Sequence, residues 1–381
     1  MKRKYTLLRT ALTFAIAALA LTAQCQLFNS GSDGSLGALV VSNGVTLAVD
    51  VPTNGIFNYT TITVQSGGIL RFNRNALNTP VYLLATGDVT VDGEIQANGS
   101  NPTSLLGGAG GPGGFDGGSP NGGPGLGPGG GREGTVSLFA AAGSYGGPGS
   151  GANTANTYGS SLVVPLIGGS GGGGNGGLAG QTSGGGGGGG AVLIASSTRI
   201  ALSGAVRCNS GGGFTAGSGG AIRLVAPVVS GAGVLQAVGL NVNVAGGGGR
   251  IRVDLIDRSQ FSLGFDPGNG SLSIGSFMTV FPPGATRRLD ITQAADTSIP
   301  EGTNSPVTIV LPFGSDTNRT VTVQARNFGT VVPIEVALIP QLGPTVKYQT
   351  NVDNTTINPA SVTVPVAFPV NTPTTVQAWM R

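Results

Sequence analysis

Gly184-Gly-Gly-Gly-Gly-Gly-Gly190 runs directly into Ala191-Val-Leu-Ile-Ala195. The junction joins the two features that decide the fold. One is a stretch with no side chains; the other is a short β-type phrase that recurs. Val81-Tyr-Leu-Leu-Ala85 matches Val192-Leu-Ile-Ala195, Ile222-Arg-Leu-Val-Ala226 and Ile251-Arg-Val253. The phrase returns 30 residues after Val192, at Ile222, and 29 residues later at Ile251. A second phrase follows the first three copies: Gly93-Glu-Ile-Gln-Ala-Asn98, Gly204-Ala-Val-Arg-Cys-Asn209 and Gly233-Val-Leu-Gln-Ala-Val238. Gly68-Ile-Leu-Arg-Phe-Asn73 is an earlier copy. Apolar residues alternate with polar ones inside the phrase, as in Ile95/Ala97, Val206/Cys208 and Leu235/Ala237, so one set faces a core. A fixed period of this size is the mark of stacked units that bury their apolar faces against neighbours. Short strands, Gly and Asn turns and no helical periodicity predict an all-β protein built on a parallel β-helix solenoid. Asn73, Asn98 and Asn209 are expected at a recurrent turn, because Asn tolerates the left-handed conformation.

The chain has 71 glycines, and residues 107–190 hold over half of them. Glycine loses the most conformational entropy on ordering, so flexible coil is the default reading. An ordered stack of polyproline-II-like segments is the alternative. The segment also carries Val136-Ser-Leu-Phe139, Tyr145, Tyr158 and Leu162–Ile167, apolar groups that need burial. It lacks a strict Gly-X-Y period, which excludes collagen. A partly ordered insertion packed on one face of the solenoid is expected.

Five segments follow. Residues 1–23 read as a signal peptide, 24–106 as the first part of the β-helix and 107–190 as the glycine-rich insertion. Residues 191–283 continue the β-helix, and 284–381 form a separate unit after the Pro-Pro-Gly at 282–284. In this last unit about seven short alternating strands are expected, including Arg288–Ile291, Val307–Leu311, Val321–Ala325 and Ile334–Ile339. They predict an immunoglobulin-like β-sandwich without the diagnostic cysteine pair.

Lys2, Arg3, Lys4 and Arg9 precede the apolar run Ala11–Ala23, a pattern that reads as a signal peptide, too short for a membrane span. Removing it leaves 19 − 4 = 15 basic against 16 acidic residues, a net charge of −1. That balance argues against nucleic acid. Cys25 is the candidate lipidation position, but Gln24 stands where lipoprotein signals place a small residue, so an ordinary secreted N-terminus is expected. Cys208 takes the place of Ala97 and Ala237 and is expected to be a small buried apolar residue, not a disulfide partner.

Chemical motifs are sparse. There is no histidine, which removes His-based triads, metal sites and acid–base catalysis. The G-x-G-x-x-G matches follow from glycine abundance and do not sit between a strand and a helix. Asp88, Asp92 and Glu94 are the best acidic cluster and the only catalytic candidates, as a carboxylate pair or a Ca²⁺ site. The competing reading is structural: Asp92-Gly93 is a turn, and Glu94 shares an outward face with Gln96. Arg71, Arg74, Arg250, Arg252, Asp254, Asp257 and Arg258 read as solvated charges. Thr61 and Thr63 form a sparse Thr-x-Thr signal.

Val81-Tyr-Leu-Leu-Ala-Thr-Gly-Asp-Val-Thr-Val-Asp-Gly93, the glycine run into Ala191-Val-Leu-Ile-Ala195, and Gly219-Gly-Ala-Ile-Arg-Leu-Val-Ala226 resemble glycine-rich exported bacterial β-solenoid proteins. They are similar, more loosely, to adhesin and polymorphic outer-membrane passenger domains. The resemblance covers roughly residues 40–255 and carries no functional residues across. It implies a secreted or outer-surface, non-enzymatic protein that presents a β surface for weak multivalent contact with polysaccharide or other matrix components. No cofactor, no metal and no membrane-spanning segment in the mature chain are expected. Two alternatives stand beside this reading: a β-helix carbohydrate-active enzyme using Asp88, Asp92 or Glu94, and an ice- or surface-binding protein.

Overall fold

A computed structural model describes residues 28–120, 122–135, 137–151, 154–176, 182–281, 287–303, 306–341 and 343–381. The expected signal peptide, Cys25 and the Pro-Pro-Gly at 282–284 lie outside the described residues.

The first strands are β1 (Ala38–Val41), β2 (Thr46–Asp50), β3 (Ile56–Tyr59), β4 (Thr61–Val64), β5 (Ile69–Asn73), β6 (Val81–Ala85), β7 (Val89–Val91) and β8 (Glu94–Gln96). A two-residue pair, β9 (Asn175–Gly176) and β10 (Thr182–Ser183), follows in the glycine-rich segment. Next come β11 (Ala191–Ser196), β12 (Arg199–Leu202), β13 (Ala205–Arg207), β14 (Ala221–Ser230), β15 (Val234–Gln236), β16 (Arg250–Asp257), β17 (Gly264–Asp266) and β18 (Ser271–Gly275). The C-terminal unit holds β19 (Arg288–Ala294), β20 (Thr297–Ser298), β21 (Asn318–Arg326), β22 (Val331–Pro340), β23 (Val346–Asp353), β24 (Ala360–Ala367) and β25 (Thr374–Met380). The described residues contain no α-helix, and none is therefore long and apolar enough to cross a membrane.

Ten strands form one parallel sheet in the order β1-β4-β7-β12-β14-β11-β6-β3, with β16 added to β14 and β18 to β16. The path leaves from β1 and returns to β3, two strands close in sequence, so the sheet curls back into a near-closed parallel barrel. This corrects the expected β-helix solenoid: the wrapped parallel layout fits an α/β-type barrel, here without helices among the described residues. The physical cause lies in β14. Other turns of the chain break into two strands at this level, at Thr86-Gly-Asp88 and at Ser197-Thr198. The ten-residue β14 does not break; its first half pairs with β11 and its second half with β12. What would be separate faces thus becomes one continuous sheet.

A second, six-stranded parallel sheet runs β17-β15-β13-β8-β5-β2. One apolar core draws on both sheets, with Ile62, Leu83, Ile194, Ile222 and Val253 from the first and Leu70, Ile95, Val206 and Leu235 from the second. The recurrent phrases lie side by side in register. Val81 pairs with Val192, Val192 with Ile222 and Ile222 with Ile251. Ile95 pairs with Val206, and Val206 with Leu235. Asn73, Asn98 and Asn209 are not among the left-handed residues, which corrects the turn expectation. Instead each asparagine reaches a neighbouring level: Asn98 Oδ1 accepts from Asn209 N at 2.8 Å, Asn209 Oδ1 accepts from Val238 N at 3.0 Å, and Asn73 Nδ2 donates to Asp50.

Cys208 is fully buried in this core beside Ala97 and Ala237, and burial pushes its thiol pKa up. Cys208→Ala removes one small group and is expected to cost on the order of 1 kcal/mol or less. Cys208→Arg places a charge where nothing can pair it and is expected to cost several kcal/mol. Thermal unfolding checks both; equal midpoints for wild type and Cys208→Arg would contradict the burial.

The glycine-rich segment is an ordered bundle. Gly185 and Gly188 donate to the carbonyls of Gly118 and Phe115, Gly186 and Gly189 to Thr215 and Ser218, and Gly187 and Gly190 to Ser100 and Ala97, at 2.7–3.0 Å. Their carbonyls accept from further neighbours, among them Gly108, Gly111, Gly169, Gly172, Gly211 and Ala221. The donors change direction with a period of three, as in a polyproline-II helix, which makes no hydrogen bonds within itself. Such a segment buried without outside partners would leave polar backbone unsatisfied. Around the bundle, Tyr145, Val163 and Leu166 pack on Leu84, Leu193 and Val225 and cover the outer face of the first sheet.

Two antiparallel sheets, β20-β19-β21-β24 and β23-β22-β25, face each other in the C-terminal unit. Val321, Val323, Ile334, Val336, Val364 and Val366 fill the space between them. The expected immunoglobulin-like sandwich included a strand at Val307–Leu311; those residues form no strand, and the short β20 lies outside the expected set. The unit rests on the glycine bundle: Trp379 packs on Phe115 at 5.8 Å, and Lys347 Nζ donates to the Gly125 carbonyl at 2.6 Å.

Candidate functional site

Outward positions of the six-stranded sheet form the candidate site. Period-two alternation sends Leu70, Ile95, Val206 and Leu235 inward and the residue after each of them outward. Strand register then aligns these residues: Arg71 pairs with Gln96, Gln96 with Arg207, Arg207 with Gln236, and Gln236 with Asp266. Parallel strands lie about 4.8 Å apart, so the row is a straight polar ladder.

Its side chains hold one another. Arg71 Nε donates to Gln96 Oε1 at 2.9 Å, and Gln96 Nε2 donates to Glu94 Oε2 at 2.5 Å. Arg207 lies 3.4 Å from Glu94 and also donates to Gln236 Oε1. Gln236 Nε2 donates to Asp266 Oδ2 at 3.0 Å, and Asn209 Nδ2 donates to Gln236 Oε1 at 2.9 Å. The hydrogen bond from Gln96 holds the Glu94 carboxyl below its usual range, with Arg207 and Arg71 adding to the effect. Arg71 and Arg207 offset Glu94 and Asp266 in charge. The result is a neutral, half-exposed row of amides, guanidinium groups and carboxylates fixed by their own network.

The acidic candidates are held apart by different partners. Asp88, just before β7, accepts from Thr198 Oγ1 at 2.6 Å and pairs with Arg199 at 3.1 Å. Asp92 is exposed in the turn between β7 and β8. Glu94 belongs to the ladder. Among the described residues no three His, Cys, Asp or Glu side chains gather as metal ligands. The Thr-x-Thr signal is also thin: Thr63 pairs with Thr90, but the next rung on that face is Ala201.

Several charges read as solvated are not. Arg223 and Asp254 are fully buried and Arg252 nearly so. Arg223 Nε and Nη2 bind Asp254 Oδ2 at 3.2 and 3.0 Å, and Arg252 binds Asp254 Oδ1 at 2.9 and 2.6 Å. Arg250 donates to the Tyr158 carbonyl and lies over the Tyr145 ring. Arg74 pairs with Asp116 of the glycine bundle. Asp257 and Arg258 are exposed as expected.

Gln236 and Asp266 were missed as site residues. Their signal was present, since Arg71, Gln96, Arg207 and Gln236 are all the fourth residue of the recurrent phrase. No family model matches the chain, and no match is found among curated proteins or solved structures.

Proposed function

We propose that this is an exported, surface-displayed protein whose polar ladder binds neutral polysaccharide through repeated weak contacts. The observation that carries the reading is the aligned row Arg71, Gln96, Arg207, Gln236 and Asp266. Sugar hydroxyls both donate and accept, and amide and guanidinium groups at regular spacing answer them. Because the side chains are already fixed by mutual bonds, little rotamer freedom is lost on binding. A linear polymer meets several rungs at once, so avidity builds without any deep pocket. The basic start and apolar run at residues 1–23 support export.

A Gln96→Ala/Arg207→Ala/Gln236→Ala variant tests the reading. Each lost hydrogen bond is worth about 1 kcal/mol, so the affinity for neutral polysaccharide should fall at least about tenfold. Circular dichroism should remain that of the wild type. Unchanged binding would sink the proposal. Reducing-end release measured in parallel, abolished by Glu94→Gln, would favour the enzyme alternative.

A further inference from the structure

Given the polysaccharide reading above, on which this rests, we infer that the ladder takes a β-1,4-linked chain of sugars with equatorial hydroxyls. The chain lies extended across the strands, with one sugar on each rung. The order of the rungs carries the inference. From β5 to β15 the ladder reads Arg71, Gln96, Arg207, Gln236, so guanidinium and amide alternate and the pattern returns every second rung. The alternation holds although the whole glycine-rich segment lies between Gln96 and Arg207 in the chain. Asp266 ends the row on β17, and Ala48 of β2, opposite Arg71, ends it on the other side.

The flanks of the ladder fit the same ligand. Two residues earlier on each strand stand Ile69, Glu94, Ala205 and Val234, aligned in register, and three of the four are aliphatic. Two residues later stand Asn73, Asn98 and Asn209. The face thus offers a mainly apolar row, the ladder and an amide row side by side. A β-1,4-linked chain of such sugars is a ribbon with apolar C–H faces and hydroxyl-lined edges. Each sugar is turned half a revolution from the last, so equivalent hydroxyls recur every second sugar, as the rungs do. The strands stand about 4.8 Å apart, and the extended chain advances by about that distance per sugar, so sugars and rungs stay in step. An α-1,4-linked chain coils, and its hydroxyls soon leave a straight row.

Calorimetric titration of the full chain with β-1,4-linked glucose oligomers of increasing length tests this, beside α-1,4-linked oligomers of the same lengths. In the β-linked series the affinity should rise about fivefold per added sugar, one net hydrogen bond for each rung reached. The rise should level off at five sugars, the number of rungs. The α-linked series should show no such rise. Gln96→Arg/Arg207→Gln keeps composition and charge but breaks the alternation, and should weaken the β-linked series by at least about fivefold. The length series is read on the wild type and stands even where the exchange lowers the thermal midpoint. α-Linked oligomers bound as tightly as β-linked ones, or a β-linked series without length dependence, overturn the inference and leave the polysaccharide reading in place. So does a folded exchange variant that binds the β-linked series unchanged. No ladder-dependent binding of any neutral polysaccharide overturns that reading and the inference together.

Discussion

Gly187→Ala is expected to unfold the glycine bundle, at a cost above about 3 kcal/mol, since overpacking a close-packed interior typically costs 1–3 kcal/mol and more when nothing can move. A Cβ on Gly187 would stand 2.1 Å from the Ala109 carbonyl oxygen and 2.4 Å from its carbon. Both atoms are backbone, held by hydrogen bonds, and no rotamer change relieves the clash. The matched control is Gly212→Ala, whose Cβ would first meet Leu240 Cδ1 at 3.4 Å and Val242 Cγ1 at 3.5 Å, both flexible side-chain ends. That variant should lie within about 0.5 kcal/mol of wild type. Thermal unfolding of the two alanine variants decides the matter. Equal midpoints would mean that the bundle is not packed backbone to backbone.

Asp254→Ala is the second large effect. The carboxylate sits between two guanidinium groups in a site without solvent and also accepts from Phe277 N at 2.8 Å. Removing it leaves Arg223 and Arg252 buried as like charges, an arrangement that costs about 3–5 kcal/mol when one partner of a buried pair is lost. Burial already lowers the pKa of Arg223, and the Asp254 charge opposes that shift. Denaturant midpoints should fall accordingly, and Arg223→Met/Asp254→Leu/Arg252→Met should recover part of the loss, since apolar replacement of a buried ion network is often tolerated. A near-neutral Asp254→Ala would mean that water reaches the site.

Neighbouring strands were legible where side chains carry the pattern. Val192, Ile222 and Ile251 align by spacing and Val81 joins them by its recurrent phrase, and their pairing in the sheet follows that alignment. The wrapping of the sheet was not legible, because the recurrent phrase ends at Ala226, before the continuous run that joins the two faces. β14 runs on through Pro227: Ala226 pairs with Leu255 and Val228 with Asp257, so the ladder steps over the one residue without an N–H. Asp254 was misread because alternating charges on a strand normally point to water; here the segment around Phe277 covers that face. The partners of Gly184–Gly190 had no signal at all, since contacts made by backbone alone leave no residue-type trace. The ladder was half visible: Gln96 and Glu94 were placed on one outward face, but the rungs were read singly and not across copies.

The glycine bundle also sets how the molecule responds to temperature. Unfolding exposes apolar surface, which raises heat capacity, and polar surface, which lowers it. A bundle of bare backbone exposes mainly peptide groups when it opens. Its contribution therefore offsets part of the positive heat-capacity change of the two apolar cores. The stability curve of the whole chain becomes broader and flatter than that of an ordinary domain of equal length, and less of its stability fades in the cold.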